Sequence, residues 1–546
     1  MKNQSRPGKP ESISMFNPDK RPITTLSDLL HRRWARILFV LIVLVLVFVV
    51  VSVVLLVARF TADRPVEYAS IEEHFKYGST GGERASGFPY WVFAAMPQVC
   101  AKHLPGPGLE SLGFIFEPGR DLPVGMSMRR NLGIDRTFLN CAVCHVSTVR
   151  DSSDAKPQIV LGMPANTFNL FGFQKFLFDC AADPNFSKDV VVPQIARLMG
   201  QRGEHLSLMD RYIVYPVALW IMRDRLLMLG GRFGPMLKHT EWGPGRTDTF
   251  NPNKVLFNFP LDRLPERERN AAVDFPSIWM QKARQGMQLH WDGNNVMSEE
   301  RNKNAAFGTG TTPPTIDLKA IGRLEQWLLT ATPPPYPQSI DTEKAARGAK
   351  TYAEYCAGCH GASGREFAAP AGETARDCLT SGSSGGANEA SLYGPHVGRI
   401  TPIDQVGTDR HRLDSFSYEL AVQLGTIYAG YPHRYCHYRK TFGYANAPLD
   451  GVWLRAPYLH NGSVPNLRAL LEPAAARPHE FYRGNDVYDA KNMGFVSDVA
   501  GQGGRKFFRY DTSLPGNANT GHEGRPYGTE LAAEDKDALV EYLKTF

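Results

Sequence analysis

Cys141-Ala142-Val143-Cys144-His145 and Cys356-Ala357-Gly358-Cys359-His360 repeat one pattern, Cys-x-x-Cys-His. Two thiols at this spacing reach both vinyl groups of one porphyrin, and the adjacent His sets an imidazole on the iron from the same turn. With eight Cys and fifteen His in 546 residues, chance supplies about 0.003 copies of the pattern. The two copies therefore predict two covalently bound haem c groups. Cys141, Cys144, Cys356 and Cys359 are the attachment thiols, and His145 and His360 the proximal iron ligands. Paired zinc or redox sites are the alternative. A closed zinc site needs four N or S ligands, and neither motif has a second Cys/His pair close in sequence.

A sixth ligand for the second haem must come from beyond His360. The candidates there are His396, His411, His433, His437, His460, His479 and His522. For the first haem no distal ligand stands out, because the next His after His145 is His205. Met163, in Leu-Gly-Met-Pro, could reach the iron or be a core methionine. An open sixth position would let dioxygen or peroxide bind.

The elements that must carry these residues are helices. Thr342 to Tyr355 is a helix-prone run that delivers the second motif at its C-terminal end. The chain closes with Leu531 to Leu543, apolar at Ala538, Leu539 and Leu543 and acidic in its first turn, which suits a helix packed on the first. From about Val190 to Leu229 apolar residues recur at helical spacing (Ile213, Val217, Trp220, Ile221, Met228). A second amphipathic stretch, Leu318 to Leu329, stops at Thr332-Pro-Pro-Pro-Tyr-Pro337, a stiff spacer that ends a helix. The domain boundary falls there. Gly361–Asn388, rich in Gly, Ser and Ala, reads as a long loop. The expected fold is mainly α: two cytochrome c-like haem domains with long loops, 59–335 and 336–546, preceded by one transmembrane helix.

That helix is Ile37 to Ala58, an apolar run without charge; about 20 such residues span a bilayer. A cleaved signal has a shorter apolar region, about 7–15 residues, and a small-x-small site, which Val57-Ala58-Arg59-Phe60 does not supply. Residues 1–36 form a polar tail with eight Lys/Arg against three Asp/Glu. This asymmetry holds the N-terminus in the cytoplasm and sends the haem domains to the periplasmic side of the inner membrane. The tail carries most of the formal charge of +6, so nothing suggests nucleic-acid binding. Four cysteines lie outside the motifs. If the halves fold separately, Cys100–Cys180 and Cys378–Cys436 are the natural pairs, with buried free thiols as the alternative.

Longer words are more specific. Val406-Gly-Thr-Asp-Arg-His-Arg-Leu-Asp414, Pro448-Leu-Asp-Gly-Val-Trp-Leu-Arg-Ala-Pro-Tyr-Leu-His-Asn-Gly-Ser-Val-Pro465 and Leu514-Pro-Gly-Asn-Ala-Asn-Thr-Gly-His-Glu523 resemble the di-haem cytochrome c peroxidase superfamily. Leu289-His-Trp-Asp-Gly-Asn-Asn295 and Asn304-Ala-Ala-Phe-Gly-Thr-Gly-Thr-Thr-Pro-Pro-Thr315 bring it nearest the branch containing bacterial rubber oxygenases. The resemblance covers roughly residues 85–546 and implies a reactive N-terminal haem and an electron-storing C-terminal haem. It points to His522 as the sixth ligand of the second haem. It also implies Trp291 as an electron relay, Phe307 as a distal-pocket wall and His460 near the haem–haem interface. Each of these three could instead be a structural residue. Asp409, Arg410 and Arg412 share one of the words, and either Arg could pair with a haem propionate or form a surface ion pair.

The implied activity is a peroxidase-like oxidoreductase, with a small electron-donor protein such as a cytochrome c or a cupredoxin as partner. A haem dioxygenase acting on an apolar substrate, or a pure electron carrier with both haems six-coordinate, are the rivals.

Overall fold

The computed structural model describes residues 26–361 and 395–546. It divides into Met1–Ala62 and Asp63–Phe546. In the first unit, Leu26–Thr61 is a continuous 36-residue helix whose large apolar side chains from Trp34 to Phe60 are exposed. By length and composition it is a candidate membrane anchor or signal sequence.

In the second unit, helices alternate with short antiparallel ribbons. Among the described residues there are one four-stranded and six two-stranded sheets, more strand than the sequence pattern suggested. These strands are two to six residues long, too short to show period-2 alternation. In the four-stranded sheet, Met126–Asn131 pairs with Ile134–Leu139 across a two-residue turn. Leu132 and the following Gly133 both have positive φ there, the backbone a tight hairpin requires. This hairpin delivers the chain into the one-turn helix Ala142–His145. Gly125, at φ +90°, lets the base of the hairpin touch the motif, since a Cβ there would meet Val143 backbone at 2.4 Å. The strand Val146–Val149 then leads away, paired with Gln158–Leu161.

A core of Trp91, Phe93, Phe168, Phe173 and Phe176 lies behind the first motif, with Phe114 edge-on to Phe168 and Phe173. Within it Cys100 and Cys180 form a disulfide. The other expected pair includes Cys378, which lies outside the described residues, as does nearly all of the expected loop Gly361–Asn388.

The helix Tyr215–Phe233 forms as its spacing predicts, but the other side faces inward. Tyr215, Leu219, Met222 and Leu226 are buried, whereas Ile213, Val217, Trp220, Ile221 and Met228 are exposed. The helix is apolar on two faces, so periodicity alone does not choose between them. Leu318–Thr330 is helical, begins under an Asp317 cap and buries Ile321, Leu324 and Leu328.

Thr342–Tyr355 is a helix capped by Asp341, and Ala533–Leu543 closes the chain. The two pack together: a Cβ on Gly348 would meet the Ala538 carbonyl at 2.0 Å, and the tilted rings of Tyr352 and Tyr542 lie 5.4 Å apart. The adjoining core draws Met163 and Trp279 from before the proline run and Tyr352, Trp453 and Leu539 from after it.

Candidate functional site: two Cys-x-x-Cys-His turns and one cavity

Cys141, Cys144 and His145 line a cavity of about 340 Å³. His145 Nδ1 donates to the Pro276 carbonyl at 2.9 Å, which fixes the tautomer and frees Nε2 for a metal. Burial, reinforced by the Arg301 charge, holds the ring down to about 4, so it stays neutral. The same backbone stretch supports Trp291, whose indole N–H donates to the Asp274 carbonyl at 2.9 Å. Asp274 is itself tied to Arg483 at 2.7 Å, while burial raises its carboxyl to about 6.

The second motif repeats the proximal arrangement. His360 Nδ1 donates to the Ala447 carbonyl at 2.8 Å. Ala447 also lines the first cavity, and Ala445 N–H donates to the Trp291 carbonyl at 2.8 Å. One stretch of chain, Ala445 to Pro448, thus holds His360 and lines the cavity that the first motif also lines.

Facing His360 is His522. Their rings are 6.4 Å apart between centroids, inclined at 43°. Two imidazoles sharing one metal at bonds of about 2 Å have centroids roughly 6 Å apart. His522 Nδ1 is buried without a hydrogen-bond partner. The loop is held by Arg477, which donates to the carbonyls of Gly521 (2.8 Å) and His522 (3.1 Å). Gly521, at φ +76°, passes so close to Gly407 that a Cβ would sit 2.2 Å from its carbonyl carbon. His522 itself takes φ +49°, a strained conformation of the kind retained at functional positions.

The other histidines are engaged elsewhere. His411 pairs with Asp409 and His437 with Glu300. His433 packs on Tyr428 and Tyr431, and His396 and His479 are exposed. His460 stacks on Tyr444 at 4.1 Å and accepts or donates a 3.0 Å hydrogen bond with its hydroxyl. It is not among the cavity-lining residues, and neither is Phe307, although its helix Ser298–Gly308 contributes Arg301, Asn304, Ala305 and Gly308. Met163 is wholly buried in the shared core, as is Met493.

The guanidiniums expected at the propionates are already paired. Arg410 is exposed and bonded to Asp414; Arg412 is buried and bonded to Asp292. The cations left facing the cavity are Arg284, Arg301 and Arg455. Arg301 has no ion-pair partner among the described residues. Arg284 Nη2 and Arg455 Nε are buried without hydrogen bonds. Burial and mutual repulsion depress Arg301 to about 10 and Arg455 to about 9. Arg284 is buried and Arg301 and Arg455 half-buried, with Asp450 acting on two of them, an arrangement that favours entry of an anionic group. Porphyrin carboxylates would meet that need, so the residues present fit haem c. A bare metal fits less well: among the described residues no group of three or more His, Cys, Asp or Glu could hold an ion.

His290 was missed at the level of sequence. It lines the cavity with His145, and its position next to Trp291 in a family-like word was the only signal.

The comparisons agree with this chemistry. Residues 443–483, which hold Ala447, Arg455 and His460, match the family described as RoxA-like, cytochrome c-like. The chain therefore carries a cytochrome c-like domain of the kind found in haem-type oxidoreductases. It is 32% identical over 351 residues to the uncharacterized protein y4iM of Sinorhizobium fredii (strain NBRC 101917 / NGR234), covering 56% of this chain and 72% of y4iM. It belongs to the same family as y4iM. The uncharacterized protein y4iJ of the same strain is 28% identical over 563 residues, covering 84% of this chain and 88% of y4iJ.

Proposed function

We propose that the protein is a di-haem c-type oxidoreductase of the cytochrome c peroxidase superfamily, with one open, reactive haem and one closed, electron-storing haem. The observation that carries this reading is an asymmetry. His360 has a second imidazole, His522, at 6.4 Å, whereas His145 faces a cavity.

His145 and His360 hold the irons, Cys141, Cys144, Cys356 and Cys359 the porphyrins, and His522 closes the second iron. Arg284, Arg301 and Arg455 neutralise propionates. When bound, haem supplies a redox-active iron able to bind peroxide or dioxygen at an open position. Trp291, hydrogen-bonded through its carbonyl to the chain that orients His360, is placed to pass electrons between the groups. A small electron-donor protein would reduce the second haem. Ile37–Ala58, within the helix Leu26–Thr61, acts as an uncleaved anchor, with 59–335 and 336–546 as periplasmic haem domains.

A second reading, a dioxygenase of an apolar substrate, is favoured by the apolar residues of the cavity lining, among them Leu170, Phe250, Pro252, Leu289 and Leu424.

The test is ligand titration of the purified membrane protein. Cyanide, or carbon monoxide after reduction, is expected to bind one haem per chain. Ligand binding at neither haem would make the protein an electron carrier. Oxygen uptake with an apolar substrate and inertness to peroxide would favour the dioxygenase. Resistance to alkaline carbonate extraction, with protease sensitivity in spheroplasts, is expected for the anchored form; a soluble product starting near residue 60 would mean a cleaved signal.

A further inference from the structure

We propose that His290, which lines the cavity with His145, Tyr438, Asn304 and Arg301, is the residue that moves the proton of a protic ligand such as hydrogen peroxide bound there. This rests on the open-haem reading and adds a catalytic residue to it.

His290 Nε2 is buried without a hydrogen-bond partner, and His290 lines the cavity together with Tyr438 and Asn304, whose side chains interact with each other. The rings of His290 and Tyr438 are 6.3 Å apart. Buried polar atoms are seldom left unsatisfied, and an unpartnered imidazole nitrogen in a cavity-lining residue calls for a ligand that can hydrogen-bond to it.

The backbone is built to put the imidazole there. Leu289 N–H donates to the Asn295 carbonyl at 2.7 Å, closing a short loop. At its turn His290 takes φ +64°, a conformation costly for any residue with a Cβ. An apolar side chain, or Gly, would satisfy packing; the strain is retained with a titratable ring.

The ring is also kept in the right state. Burial, aided by the charges of Arg301 and Arg412, keeps it neutral, so it can accept a proton rather than only donate one. It lines the same cavity as His145.

With hydrogen peroxide, His290 would take the proton from one oxygen and return it to the other, outer oxygen. The O–O bond breaks, its electron pair leaves with the outer oxygen, and that oxygen departs as water. The two electrons needed to take the remaining oxygen to a second water come from the haem groups and their donor protein, with two protons from solvent.

Cyanide association tests this without turnover, because the ligand enters as neutral HCN and must lose its proton on binding. Stopped-flow measurements on the full-length holoprotein are expected to show association slowed on the order of 10²-fold in both His290→Ala and His290→Gln. Carbon monoxide, which carries no proton, should bind the reduced variants within threefold of the wild-type rate. Unchanged cyanide rates in both variants would overturn the proposal. If the wild type binds neither ligand but His290→Ala binds both, His290 is an iron ligand and the proposal is wrong. If neither wild type nor variants bind, the open-haem reading falls, and this inference with it. His290→Gln preserves bulk and a donor, so it covers the case in which His290→Ala does not fold.

Discussion

His360 and His522 face each other with ring centroids 6.4 Å apart, although 162 positions separate them along the chain. A metal between them would be held by two neutral imidazoles, since burial, with the neighbouring His360 and Arg477, depresses His522 to about 3. His522→Ala should therefore convert one low-spin ferric signal to high spin in electron paramagnetic resonance. His460→Ala should leave it low-spin, because His460 is occupied by Tyr444. Conversion by His460→Ala alone would exchange their roles.

Arg301 acts electrostatically on His145 and Arg455 on His360. Removing a buried cation stabilises the more positive, ferric form of a nearby haem, so its potential falls. A unit charge about 8 Å away at an effective dielectric near 20 is worth roughly 2 kcal/mol, or on the order of 50–100 mV for one electron. Redox titration followed in the Soret band should show Arg301→Met lowering chiefly the first haem and Arg455→Met chiefly the second. An upward shift in either would count against these positions.

The parts of the site that could be read in the sequence are those carried by local spacing. The two motifs, the helix Thr342–Tyr355 that ends at Cys356 and the helix Leu318–Thr330 that stops before the prolines all depend on neighbours within a few residues. His522 was accessible only through the wording around it. What stayed hidden comes from distant segments. Arg284, Arg301 and Arg455 face one cavity from three stretches of chain, and nothing in their immediate sequence distinguishes them from Arg412, which finds Asp292. His290 is a lone histidine in a loop until the fold brings it to the cavity that the first motif lines. Likewise Tyr215–Phe233 shows two apolar stripes, and only the tertiary fold selects the one beginning at Tyr215.

Cys100 and Cys180 are fully buried and close a loop with a sequence separation of 80. Loop closure of that size restricts the unfolded chain, and losing such a bond typically costs about 2–4 kcal/mol. The double variant Cys100→Ser/Cys180→Ser should lose that much in guanidinium unfolding of the holoprotein, with both haems retained. A loss below about 1 kcal/mol would show that the unfolded state keeps this region compact.

The pair His411–Asp409 gives the body a pH-dependent contribution away from the haem ligands. His411 Nδ1 is 2.9 Å from Asp409 Oδ1. The hydrogen bond to Asp409 raises His411 above its ordinary value, more than burial lowers it. For Asp409 burial acts upward, but the hydrogen bonds and charges of His411, with the His460 charge, leave the carboxyl lowered. A raised imidazole stabilises the fold fully below its unfolded value, about 6.5, and that stability is lost as pH rises through the folded value. A lowered carboxyl stabilises above about 4 and loses its effect as pH falls through the folded value. The pair is therefore strongest between about pH 4 and 6.5. Thermal midpoints of wild type and His411→Ala should differ more at about pH 5.5 than at about pH 9. An equal difference at both would mean that the two groups hold each other through a neutral hydrogen bond, without the charge that the raised imidazole implies.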